Sequence, residues 1–275
     1  MPAILEAPSR GERVVMMTAY DFSQACLVEE SGIDIALVGD SLAMVALGYD
    51  DTLSVTMEEM LHHVRAVRRG IRRALLVADM PYGSFHLGPH QAVENALRFV
   101  KEAGAQAVKI EGARRNVVSA LVDAEIPVMA HLGLTPQSIH RFGGFKVQGR
   151  GGEARGRLLE AAMALEAAGA FSLVLECVPA DLAAEVTEAI EIPTIGIGAG
   201  PSCNGQVLVI HDLLGLQDRL SPKFVRRYAE LGTEARQALE QFACDVREGR
   251  FPTLEESYDD PSRAQQSERI RKIYG

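Results

Sequence analysis

The stretch IDIALVGDSL, residues 33–42, decides the fold. From Ile33 to Val38 it has the length and the β-branched character of a strand buried on both faces. The run stops at Gly39, and a carboxylate and a hydroxyl, Asp40 and Ser41, follow at once. A strand that crosses a core and delivers an acid at its end suits a barrel, whose chemistry gathers just past the carboxyl ends of the strands.

Seven further runs repeat the pattern: VVMMTA (14–19), ALLVA (74–78), AQAVKI (105–110), IPVMA (126–130), FSLVLE (171–176), IPTIGI (192–197) and QVLVI (206–210). Between most of them lie segments of helical spacing, at 21–32, 56–70, 88–104, 157–169 and 181–190. The segment 56–70 starts at an N-cap, Thr56, with Glu59 in the capping-box position, and ends in arginines and Gly70. Strand, loop and helix, repeated to eight strands without a linker, predict an α/β fold of the (β/α)8 TIM-barrel type. It is expected as a single catalytic domain over 1–258 with C-terminal helices, followed by a charged, partly disordered tail over 259–275. An open doubly wound sheet is the alternative, but its glycine fingerprint belongs after the first strand, where MMTAYD has none.

A formal net charge of −9 argues against a nucleic-acid or anionic-membrane surface, so an anionic ligand must find a local positive charge. No apolar run reaches the roughly 18 residues of a membrane span, and the N-terminal stretch lacks the apolar core of a secretion signal, so a cytoplasmic protein is expected. The four cysteines, Cys26, Cys177, Cys203 and Cys244, form no CxxC pair and are expected as reduced thiols.

The strand ends carry the chemistry. In order they offer Tyr20 and Asp21, Asp40 and Ser41, Asp79, Lys109 and Glu111, His131, Glu176, the loop GIGAG, and His211 with Asp212. Converging on one mouth, these acids repel one another unless a cation or protons neutralise them. A hard divalent cation, Mg2+ foremost, takes such oxygen ligands, and Asp40, Asp79 and Glu111 are the candidates; taken singly, each is equally a helix cap or a solvated loop acid. Lys109 and Glu111, two apart in a strand, share a face, leaving Ile110 to pack outward, and Lys109 supplies the missing positive charge. Glu176, among apolar neighbours, should have a raised pKa suited to a general base, the alternative being a glutamate paired to a cation. His131 is either a hydrogen-bond partner for a carboxylate or enolate oxygen or a structural histidine, and His62 and His63 are expected on a helix surface. GIGAGPSCNGQ (196–206) is expected to make tight turns closing the mouth rather than a phosphate cradle, and GGFKVQGRGG (143–152) to form a lid.

Together MTAYD (17–21), LVGDSLAMV (37–45), VKIEG (108–112), HLGLTPQS (131–138), GGFKVQGRG (143–151), LVLECVP (173–179) and IGIGAG (195–200) resemble the ketopantoate hydroxymethyltransferase family, over roughly residues 12–258. The resemblance implies a (β/α)8 barrel that transfers a hydroxymethyl group from 5,10-methylenetetrahydrofolate to 3-methyl-2-oxobutanoate. The product is 2-dehydropantoate (ketopantoate), formed through a Mg2+-stabilised enolate in pantothenate and coenzyme A biosynthesis. By the same resemblance Asp40 and Asp79 bind the metal with Glu111 in support, Ser41 and Lys109 contact the oxo acid along with the metal-binding Asp40 and Asp79, Glu176 is the base, and His131 lies in the substrate pocket. It further implies a homo-oligomer, a decamer in bacterial members. Two positions depart from the family's usual residues: Asn204, where Asp is common, and Ala130, where Gly is common. A Mg2+-dependent barrel of the isocitrate lyase and phosphoenolpyruvate mutase group has a similar GDS, but KVQGRG and LVLECVP speak against it. A catalytically silent scaffold would show broken site positions, and all are present.

Overall fold

The computed structural model describes residues 2–144, 146–218, 222–258 and 260. They fall into two compact units, Met1–Tyr228 and Ala229–Gly275. The barrel unit therefore ends ahead of the expected boundary at 258, because helix Leu231–Arg247 groups with the second unit. Except for residue 260, the tail expected over 259–275 lies outside the described residues.

All eight expected strands form: β1 Val14–Thr18, β2 Ile35–Val38, β3 Leu75–Asp79, β4 Ala107–Glu111, β5 Val128–Gly133, β6 Ser172–Glu176, β7 Thr194–Ile197 and β8 Gly205–Leu208. They pair in parallel in sequence order and close, β8 on β1, into a barrel. Helices α1 Phe22–Glu30, α2 Met57–Gly70, α3 Pro89–Ala103, α4 Arg115–Asp123, α5 Gly152–Ala167 and α6 Ala180–Ala189 follow β1 to β6 in turn. Local chemistry sets their ends. Asp21 accepts the Gln24 N–H at the start of α1, Thr56 and Glu59 close a full capping box on α2, and Gly104 ends α3 in the left-handed conformation. Helix α4 had no counterpart in the sequence reading, although its buried Val117, Val118 and Leu121 fall at helical spacing.

The period of two sorts every strand into an inner and an outer face. Leu75, Val77, Ala107, Met129, Val174, Ile195 and Val207 fill the barrel interior, while Leu76, Ala78, Val108, Ile110 and Ala130 pack in the cluster that includes the helices. On the inner face the apolar filling gives way to polar groups at the carboxyl ends. The register sets Asp79 beside Lys109, Glu111 beside His131, and Gly133 beside Glu176.

One connection breaks the alternation. No helix stands between β7 and β8; residues 198–204 alone make the parallel crossover, which ordinarily takes a dozen residues or more. Gly198 and Gly200 adopt φ of 64° and 81° there, and a Cβ on Gly198 would meet the Phe224 ring at 2.7 Å. The glycines of GIGAG are thus explained by tight turns and close packing. Asn204, at the other end of the loop, accepts from the Thr194 N–H (3.0 Å) and hydroxyl (3.1 Å), pinning β8 to β7. An aspartate could accept the same two bonds, so this departure from the family pattern is structural and lies away from the chemistry.

Gly133 ends β5 at φ 95°, where an added Cβ would fall 2.1 Å from the Glu176 carbonyl oxygen. Gly133→Ala is expected to destabilise the fold by about 1–3 kcal/mol from backbone strain alone, with the clash in addition. Calorimetric melting measures this, and an unchanged midpoint would contradict the assignment.

Candidate active site

A cavity of about 720 Å3 opens at the carboxyl ends of the strands. Asp40, Ser41, Asp79, Lys109, Glu111, His131 and Glu176 all line it, so every site residue expected from the sequence is brought to one place. The other walls are apolar, among them Leu37, Leu134, Val174 and Ile197.

The centre is a buried ion pair. Lys109 Nζ stands 2.8 Å from Asp79 Oδ1, and both side chains are about 5% exposed. The other oxygen, Asp79 Oδ2, accepts the Asp40 N–H at 3.0 Å, which fixes the turn after β2. Gly39 permits this approach, because a Cβ there would crowd Ser41 Oγ at 2.8 Å and Asp79 Oδ2 at 3.5 Å. Ser41 Oγ lies 2.8 Å from the hydroxyl of Tyr20, a fully buried side chain at the end of β1.

Lys109 Nζ also lies 3.3 Å from His131 Nδ1. An ammonium has only donors, so Nδ1 accepts and the imidazole proton sits on Nε2, facing Glu176 Oε2 at 3.3 Å. Burial, then the neighbouring Lys109 charge, pushes the His131 pKa well down, which keeps the ring neutral.

The acids outnumber the cations. Burial first, and the Asp79 charge second, push Asp40 up to about 7 against the pull of Lys109. Burial and Asp40 raise Glu111 well above the ordinary range. Burial works against the Lys109 charge, but Asp79, Glu111 and Asp40 outweigh it and raise its pKa. Glu176 is pushed up to about 7 by burial, with Lys109 drawing it down. Among the described residues the innermost cluster thus sets the Lys109 ammonium against the carboxyl groups of Asp40, Asp79, Glu111 and Glu176, and a divalent cation would relieve that shortage of positive charge. Among the described residues no three His, Cys, Asp or Glu side chains converge as an all-protein metal cage. Mg2+ needs none, since it is commonly held by one or two carboxylates together with water and substrate oxygens. The adjacent Asp40 and Asp79, open to the cavity, suit that mode.

Glu176 owes its position to an unusual backbone. Cys177 adopts φ 48°, rare for a residue with a side chain, and its N–H and carbonyl are tied to Ile197 and to the Gln148 N–H. The turn directs the chain out of β6, leaving Glu176 at the cavity. The same contact holds Gln148 near the mouth, where Lys146 and Val147 line the cavity.

Other strand-end groups serve the fold. Asp21 caps α1, and His211 stacks on Tyr20 with ring centroids 5.4 Å apart. His62 is exposed as expected, but His63 is not free surface: its Nδ1 lies 2.6 Å from the Tyr20 carbonyl oxygen, bracing the end of β1. Sequence reasoning missed Gln137. It follows β5 in HLGLTPQS and is buried beneath the acids, and its only signal was an uncharged polar residue in a turn next to a histidine strand end.

The model of the family described as ketopantoate hydroxymethyltransferase matches residues 1–254. The 3-methyl-2-oxobutanoate hydroxymethyltransferase of Heliobacterium modesticaldum is 56% identical over 260 residues, covering 94% of each chain. That of Nitratidesulfovibrio vulgaris is 57% identical over 249 residues, 90% of this chain and 81% of its own. Among solved structures, a phosphonopyruvate hydrolase complex with oxalate and Mg++ superposes with a TM-score of 0.60 at 15% identity, covering 99% of this chain and 96% of its own. A 2,3-dimethylmalate lyase of the PEP mutase/isocitrate lyase superfamily gives 0.58 at 16%, covering 100% and 98%. At those identities the rival group shares the barrel and no more, whereas the match in sequence runs through nearly the whole chain: it belongs to the ketopantoate hydroxymethyltransferase family.

Proposed function

We propose that this transferase moves a hydroxymethyl group from 5,10-methylenetetrahydrofolate to 3-methyl-2-oxobutanoate, giving 2-dehydropantoate for pantothenate and coenzyme A synthesis. The observation that carries the reading is the pairing of a partly buried carboxyl group poised near neutrality, Glu176, with an acidic cluster short of positive charge in one pocket. Relatives that bear the name 3-methyl-2-oxobutanoate hydroxymethyltransferase support it.

Asp40 and Asp79 would hold Mg2+, with Glu111 in support. Bound there, the ion supplies Lewis-acid polarisation of the oxo acid's carboxylate and ketone oxygens. Lys109 and Ser41 offer donors to the same oxygens from within the cavity. Glu176 takes the C3 proton, and neutral His131 places Nε2 3.3 Å from the carboxylate that receives it. The C3 carbon then forms its bond to the methylene carbon of the folate as one of that carbon's two bonds to folate nitrogen breaks, the freed nitrogen taking up a proton. Water supplies the hydroxyl as the remaining bond to folate nitrogen breaks, releasing tetrahydrofolate. A positioned base contributes on the order of 10²–10⁴ to such a rate. The apolar walls keep bulk water from the carbanion before transfer.

The reading includes a homo-oligomer, as a decamer, in solution. Large apolar side chains left exposed on the barrel helices, including Phe22, Leu27, Leu97 and Met163, support assembly. Among the described residues no helix is long and apolar enough to cross a membrane.

Asp40→Ala should abolish Mg2+-dependent turnover, and unchanged turnover with unchanged Mg2+ affinity would sink the metal assignment. Glu176→Gln should still bind 3-methyl-2-oxobutanoate yet stop deuterium exchange at C3 in D2O, followed by NMR. A base must be deprotonated to act, so exchange by the wild-type protein should rise as pH climbs through about 7 and then level off. A rate that instead falls across that interval would exclude Glu176 as the base.

A further inference from the structure

We infer that Gln137 is a positioning residue for the reaction, acting through Asp40 and Glu111, an inference that rests on those acids taking part in catalysis as proposed above. The residue is 6% exposed and contacts three strand ends at once, two through its side chain and one through its backbone N–H. The amide nitrogen donates to Asp40 Oδ2 at 2.8 Å, past β2, and to the Met80 carbonyl at 3.0 Å, past β3. Its backbone N–H donates to Glu111 Oε2 at 3.0 Å, at the end of β4. Gln137 itself belongs to the turn Pro136–Ser138 after β5.

Chemistry fixes which way the amide points. Asp40 Oδ2 and the Met80 carbonyl are both acceptors, so only the nitrogen end satisfies them. The oxygen, Oε1, is then turned away, and it is buried with no hydrogen-bond partner among the described residues. A buried acceptor without a donor is costly, and in a polar site beside two carboxylates a water molecule or a ligand hydroxyl is the natural donor. Gln137 thus does two things that neither acid can do for itself. It donates to Asp40 without adding a charge to a cluster already crowded with negative groups. It also fixes one Asp40 oxygen, so that the other is left for the cavity.

A lysine in its place would offer the donors but would neutralise the acids that have to attract a cation. A glutamate would add repulsion and could only accept. The uncharged side-chain amide is the group that orders the Asp40 carboxylate and leaves its charge intact.

Gln137→Met keeps the length and the burial and removes both side-chain hydrogen bonds. Three measurements decide the role: thermal unfolding of the metal-free protein, calorimetric titration with MgCl2 in the presence of 3-methyl-2-oxobutanoate, and C3 deuterium exchange as separate kcat and KM at saturating Mg2+. Positioning predicts a folded variant whose Mg2+ affinity falls roughly tenfold or more, as expected for a lost hydrogen bond to a charged group. It also predicts a lowered exchange kcat with little change in KM. Wild-type affinity together with wild-type kcat overturns the inference. If the variant unfolds, Gln137→Asn, which keeps the amide but shortens its reach, replaces it; a folded Asn variant with wild-type kcat overturns the inference equally. If the wild-type protein binds no Mg2+, the metal reading fails by itself, and Gln137 is then judged on exchange kcat alone.

Discussion

The ion pair of Lys109 and Asp79 at 2.8 Å is the contact on which the site depends. Removing either charge from water costs several kcal/mol, which their attraction offsets only when geometry is good and the remaining donors and acceptors are satisfied. Here each member reaches a second partner. Asp79 turns its second oxygen to the Asp40 N–H, and Lys109 turns toward His131 Nδ1. One pair therefore orients the turn that presents Asp40 and selects the tautomer that faces Glu176. The strand register makes this possible, because Asp79 and Lys109 are Cα partners across β3 and β4. A slip of one residue would send Lys109 into the apolar layer between barrel and helices.

The same constraint explains why the fold was legible. Strands buried on both faces must be short and apolar, and eight such runs separated by helical spacing leave few other architectures. Lys109 was conspicuous because VKIEG sets a cation in an otherwise buried strand, and its partners stood at equivalent places in the other runs. Glu176 was visible for the same reason. What could not be read were groups whose role arises only from three-dimensional closure. Gln137 looks like one more polar turn residue until β2, β3 and β4 bring acceptors to it. His63 sits on a helix whose surface pattern is ordinary, and only the proximity of the Tyr20 carbonyl gives it a partner. Helix α4 went unread, although its buried Val117, Val118 and Leu121 fall at helical spacing, whereas the helix-free link between β7 and β8 agrees with the tight turns expected over 196–206.

The electrostatic balance of the pocket follows from burial more than from any one neighbour. For Asp40, Glu111 and Glu176 the first cause of the upward shift is the loss of water, and Lys109 only moderates it. In the proposed reaction, the poor solvation of the acids would favour an added cation, and the same poor solvation raises the pKa of Glu176. The cation recognition and proton abstraction proposed above would then both follow from one apolar enclosure. The chain spends little of its length on special devices: a glycine at 39, a left-handed turn at Cys177 and a neutral imidazole suffice.

The short crossover between β7 and β8 bears on how the ring assembles. Its ends are joined by so few residues that pairing Ile195 with Gly205 demands little loss of chain entropy. The opposite edge of the same strand pairs Gly205 with Val14, nearly the whole barrel apart in sequence. Loop-closure scaling sets these two contacts apart by roughly 2–3 kcal/mol. In closure entropy alone, β8 is therefore held to β7 at lower cost than it is held to β1 at the seam.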